Sequence, residues 1–202
     1  MGSRIMHLII ANKIAEHFSV SNKSSFLLGG VAPDAVAPKD HSHFFIGEVH
    51  EYSRRVDFES FLIKYNSLKH SHYILGYYTH LIADDIWLQG FFLPWLRNRL
   101  ENNKELFKLY HNDFRLLNGK LLEYYGCTNK LRAEIQIPDE VLELGEVKTE
   151  EVKNFIPYVL EDMEYNQETL NQPLHVFTFE QIVGYIETSV ERGIYQLRPL
   201  FS

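Results

Sequence analysis

HSHYILGYYTHLIADDIWLQ, residues 70–89, is apolar on nearly every side when wound at helical spacing, the pattern of a helix that passes through the middle of a protein. A central helix is therefore expected over residues 69–89. Two ionisable side chains in it, His80 and Asp84, are spaced H-x-x-x-D. At about 100° per residue, positions four apart stand one above the other, so imidazole and carboxylate can reach one point. A His–Asp hydrogen bond in a polar patch would satisfy the same spacing. On an otherwise apolar helix, however, two such groups are costly to bury unpaired, and a divalent metal would satisfy both. His72 and Gly76 continue the four-residue steps, each drifting about 40° around the axis, so His72 is expected on a neighbouring face.

Outward from this helix, Ile5, Leu8, Ile9, Ile14 and Phe18 recur at helical steps and predict a helix over residues 4–18 with one buried face. Residues 21–25 break it. The stretch 26–53, with Gly29, Gly30, Pro33 and Pro38, reads as loop after at most a short helix. Short helical spacing follows at 57–65 and a long run at 101–125, ended by Gly126 as a C-terminal cap. Beyond a segment at 138–144, helices are expected over 149–170, with Pro157 starting a new segment, and over 179–196. Alternating strand patterns are scarce. The fold expected is all-α, one domain of six to eight helices over residues 1–202, with a metal-site half at about 1–90 and a helical completion at about 91–202.

Twenty Lys plus Arg stand against 27 Asp plus Glu, a formal net charge of −7, so no basic footprint predicts nucleic-acid binding. The single cysteine, Cys127, cannot form an internal disulfide and points to a reducing compartment. MGSRIMHLIIANKIAEHF carries no cleavable leader pattern, and no window approaches the roughly 18 apolar residues of a membrane span. A soluble, cytoplasmic protein is expected. No nucleophile elbow, Walker loop or dinucleotide fingerprint is present. The compositional outlier is histidine: eight of the ten lie within the first 80 residues.

The loop GGVAPDAVAPKDHSHFF, residues 29–45, offers Asp34 after a proline and His41 and His43 after a second. Carboxylate and imidazole from this loop, with His80 and Asp84 from the helix, would make a ligand set of two nitrogens and two oxygens suited to zinc. An Asx turn or helix cap for Asp34 and a solvated loop for the histidines is the alternative.

Taken in order, His7, Ala32-Pro33-Asp34, Lys39-Asp40-His41-Ser42-His43-Phe44 and Gly76-Tyr77-Tyr78-Thr79-His80-Leu81-Ile82-Ala83-Asp84 resemble the zinc-dependent phospholipase C family, which shares its metal-site plan with the S1/P1 nucleases. The resemblance covers roughly the first 90 residues and implies an all-helical fold. It implies Asp34, His43, His80 and Asp84 on one zinc, with Asp84 bridging to a further ion shared by His7. That ion in the family is also held by the amine and carbonyl of an N-terminal Trp, which this chain lacks. For the family's remaining zinc, this chain has no histidine between Asp84 and His111. Either that ion is lost, or His111 and Asp113 ligate it in a changed geometry.

Two functions are carried forward. One is a metal-dependent hydrolase, with zinc or another divalent ion in one or two copies, acting on a small phosphoester or phospholipid headgroup, with Asp34 and Asp84 as catalytic carboxylates. The other is a non-catalytic helical protein in which the metal locks the loop against the central helix.

Overall fold

The computed structural model describes residues 2–135 and 141–201. The architecture is all-α, and the only strands among the described residues are a two-residue antiparallel pair, β1 (Phe45–Ile46) and β2 (Arg55–Val56), in register Phe45↔Val56.

Helix α1 (Arg4–His17) starts where the Ser3 hydroxyl accepts from the Met6 N–H, satisfying one orphan donor of the first turn. Helix α2 (Lys23–Val31) is capped in the same way by Asn22 on the Ser25 N–H, and runs into a 3-10 turn, Ala32–Ala35, with Pro33 at its start. α3 (Phe58–Lys64) begins at Asp57, and α4 (His72–Trp87) is the expected central helix, buried from Tyr73 through Asp84. Its path continues through a π-helical stretch, Leu88–Leu96, into α5 (Arg97–Asn102). Then follow α6 (Lys104–Tyr125), α7 (Thr128–Ile135), α8 (Thr149–Glu161), α9 (Gln167–Asn171) and α10 (Phe179–Leu197). α4 packs on α1, α2 and α10. No helix among the described residues is long and apolar enough to cross a membrane.

The stretch expected as loop after at most a short helix is helical through both glycines, because they face other helices. A Cβ on Gly29 would lie 2.0 Å from the Tyr73 carbonyl oxygen, and one on Gly76 would lie 1.9 Å from that of Phe26. α2 and α4 therefore meet backbone to backbone, a contact only glycine permits. Residues 149–170 are not one helix. Pro157 lies inside α8 on its exposed face, where water can serve the carbonyl that loses its partner. The break comes later, at residues 162–166, where Met163 turns into the core and Asn166 caps α9. These shorter pieces raise the number of helices above the six to eight expected. Of the segment 138–144, residues 138–140 lie outside the described residues. Gly126 caps α6 at φ +60°, as expected.

Replacing Gly76 by Ala forces a methyl group into the Phe26 carbonyl. Its cost should be about 3 kcal/mol or more, read as a drop in the urea midpoint at unchanged slope.

Candidate metal centre

Three histidines and two aspartates meet between α1, α4 and the segment linking α2 to β1. Asp84 Oδ2 lies 3.3 Å from His43 Nε2 and 3.7 Å from His80 Nε2. The two Nε2 atoms are 3.3 Å apart, and Asp34 Oδ1 is 3.5 Å from His43 Nε2. The other oxygen of Asp84, Oδ1, is 3.3 Å from His7 Nε2, and the His7 ring stacks on His80 with centroids 3.7 Å apart. Asp84 thus faces His43 and His80 with one oxygen and His7 with the other. The side chains of His7, His43, His80 and Asp84 are fully enclosed, and Asp34 is 4% exposed.

Backbone contacts set the state of each ring. His80 donates its Nδ1 proton to the Gly30 carbonyl at 2.8 Å, so its neutral ring presents Nε2 as a lone pair. His43 Nδ1 lies 3.1 Å from the Lys39 carbonyl and 2.9 Å from the Ser42 hydroxyl; the tautomer that donates to the carbonyl presents Nε2 as a lone pair. Two lone pairs aimed at each other across 3.3 Å repel, and either a proton shared with Asp84 or a metal ion between them would relieve that repulsion. Ligands at about 2.0–2.2 Å from a tetrahedral ion stand about 3.3–3.6 Å from one another, which is the spacing observed. His43, His80 and Asp84 form one ligand group and His7, Asp34 and His80 an overlapping second. The polar edge of His7 is directed at Asp84 Oδ1 through Nε2.

The supporting contacts explain the placement. Tyr77, one turn before His80 on α4, donates to the Ser42 carbonyl at 2.6 Å and holds the His43 segment against the helix. Lys39 pairs with Asp34 Oδ1. Asp85, beside Asp84, accepts from the Val56 N–H at 3.0 Å and ties the β1–β2 pair to α4.

Burial, then the nearby His80, pushes His7 down from its ordinary 6.5 to about 3, against the pull of Asp84. His43 is lowered mainly by burial. Burial alone would raise Asp34, but the His43 hydrogen bond, His80 and Lys39 hold it well below the usual carboxylate range. Asp84 also ends well below that range, because surrounding positive charge and its His7 and His80 partners outweigh burial. At neutral pH His7 and His43 are uncharged and both carboxylates ionised, the form in which they ligate metals.

No protein-family model, curated protein or solved structure matches the chain. The site is therefore read from its own atoms.

The remaining sequence candidates lie elsewhere. His41 is exposed. His72, half-buried, accepts the Asn22 N–H on Nδ1 at 3.3 Å and so fastens α2 to the start of α4. His111 is exposed on α6, its ring edge-on to Phe107 and Tyr110. Asp113 is buried and its oxygens accept the backbone N–H groups of His175, Val176 and Phe177 at 2.7–3.2 Å. Those bonds anchor the segment before α10 and leave Asp113 no part in a metal site. The alternative in which His111 and Asp113 ligate a further ion is thus not what the fold builds. The sequence reading missed the ring-fixing carbonyls of Gly30 and Lys39, for which no side-chain signal exists.

The unfolded chain's histidines take up a proton near pH 6.5, whereas folded His7 resists it to about 3. Between those values the unfolded state binds more protons, so stability falls as pH falls. Metal-stripped protein should lose melting temperature progressively from pH 6.5 toward 3, with the depressed Asp34 and Asp84 adding to the loss at the acid end. The His7→Gln variant should show a shallower slope over the same range in thermal melts.

Proposed function

We propose that this protein is a metal-dependent hydrolase of phosphoesters, with zinc or a similar divalent ion in about one or two copies. The observation that carries this reading is the convergence of His43 Nε2, His80 Nε2 and Asp84 Oδ2 at 3.3–3.7 Å with both histidine Nδ1 atoms facing backbone carbonyls. The order of these residues along the chain also resembles the zinc-dependent phospholipase C family.

His43, His80, Asp84 and Asp34 would hold one ion, and His7 with the second oxygen of Asp84 would contribute to another. A bound ion supplies Lewis-acid polarisation of a phosphoryl oxygen and acidifies an adjacent water. The chain's own residues do the rest. Asp34 is the candidate ligand that also lines an open cleft, so the phosphoester approaches from its side. As the water oxygen bonds to phosphorus and the ester P–O bond breaks, Asp34 accepts the water's proton and the leaving oxygen is protonated in turn. Asp84, enclosed at the base of the site, orients His7, His43 and His80 through its two oxygens. The apolar helix α4 excludes bulk water from behind them, which strengthens each of these interactions.

Complete enclosure of four of the five side chains favours a second reading, a closed structural metal that ties the loop to α4. Elemental analysis with hydrolysis of bis-p-nitrophenyl phosphate separates the two. The hydrolase reading expects bound metal and chelator-sensitive turnover restored by zinc. Asp34→Asn should lower turnover by about 10²-fold or more, and His80→Ala should cost about one ion per chain. His111→Ala should leave metal content unchanged. Bound metal that raises the melting temperature without any turnover would establish the structural reading instead, and a metal-free chain would sink both.

A further inference from the structure

A cleft of about 550 Å³ opens beside Asp34, between the N-terminal end of α1, α6 and α8. Its lining reverses the sign of the protein as a whole. Arg4, Lys39 and Arg115 stand there against the carboxylates of Asp34 and Asp162, on a chain whose formal net charge is −7. Arg4 is held by Asp162 at 2.9 Å. Arg115 has a neutral partner, the side-chain oxygen of Asn112 at 3.0 Å; among the described residues no carboxylate lies within ion-pair distance of it. With Asp34 committed to a metal, Lys39 loses its counter-charge and the cleft carries an excess of cations. Deeper in the same cleft is Asn118, 6% exposed, whose side-chain oxygen has no hydrogen-bond partner among the described residues. That oxygen is closed off from solvent, so it belongs to the packing behind the wall and not to the surface a ligand meets. His111, Arg115 and Asn118 fall at i, i+4 and i+7 on α6 and so share one face of that helix.

We propose that this cleft is a leaving-group subsite, and that the substrate is a phosphoester bearing a second phosphate bound by Lys39 and Arg115. This rests on the hydrolase reading for the position of the scissile group. The second phosphate supplies the charge that the cations lack. An uncharged or purely apolar leaving group would leave both cations unmatched. The same chemistry occurs in soluble sugar bisphosphates and in phosphorylated polyol headgroups of lipids.

Calorimetric titration of the zinc-loaded protein with fructose 1,6-bisphosphate and with fructose 6-phosphate tests the subsite without relying on turnover. The bisphosphate should bind at least about tenfold tighter, as one well-placed charge-assisted contact allows. Lys39→Met and Arg115→Met should each shrink that ratio toward unity. Arg115 is exposed, so its variant reports on binding rather than on folding. Sedimentation with phosphatidylcholine vesicles containing phosphatidylglycerol phosphate distinguishes the sources. Retention on those vesicles with weak binding of the soluble sugar assigns the headgroup, and the reverse assigns the soluble ester. Equal affinities for the two sugars together with no vesicle retention would overturn the subsite, even in a protein that hydrolyses bis-p-nitrophenyl phosphate. A bisphosphate preference in a protein without metal-dependent turnover would uphold the subsite and remove the hydrolase reading.

Discussion

The backbone-to-backbone crossing of α2 and α4 is the constraint from which the site follows. Gly29 and Gly76 leave no room for a Cβ at the crossing, and that approach brings the Gly30 carbonyl to 2.8 Å from His80 Nδ1. A wider separation of the helices would leave His80 free to choose its tautomer. At the observed separation the proton sits on Nδ1, and Nε2 turns toward His43 and Asp84. Packing and ligand chemistry are thus one interaction seen from two sides. The 3-10 turn that continues α2 carries Asp34, so the same crossing places the carboxylate that faces the cleft.

Burying five ionisable side chains in one volume would be prohibitive if each were solvated separately. Here imidazoles and carboxylates alternate: both oxygens of Asp84 and Oδ1 of Asp34 have a ring nitrogen within 3.7 Å, and Asp34 Oδ1 also pairs with Lys39. The electrostatic cost falls on the close pair of Nε2 lone pairs, which is where a cation gains most. A metal bound there would couple its affinity to folding stability through this pair, because the unfolded chain presents no such juxtaposition.

The surface repeats this logic at longer range. A protein of net negative charge repels phosphates generally, which lowers background binding to nucleic acids and anionic surfaces. With Asp34 engaged by a metal, Lys39 and Arg115 would offset that repulsion at one mouth, where a screening length of about 10 Å makes near cations count more than distant acidic residues. Phe155 braces Arg4, with the guanidinium 5.0 Å from the ring centroid, so this part of the wall is positioned before a ligand arrives.

Much of this was legible in the residues alone. The apolar wrap of residues 70–89 marked a central helix, the spacing of His80 and Asp84 placed them on one face, and the excess of histidine in the first 80 residues singled out the half of the chain that holds the cluster. Periodicity failed where a residue's environment, not its type, decides structure. Gly29 and Gly30 read as breakers, yet they are the contact surface of α2, and Pro157 read as a helix start although its exposed face tolerates it. His41, His111 and Asp113 were as eligible by type as His43 and His7. The sequence by itself determined the all-α class, the starts of α1, α3, α8 and α10, and which side chains can ligate. Only the tertiary structure decided which of them converge, because convergence depends on carbonyls and helix separations that have no side-chain signature. It also decided that α6 brings Arg115 to the cleft beside Asp34, since residues some 80 positions apart share a wall only once the helices have packed.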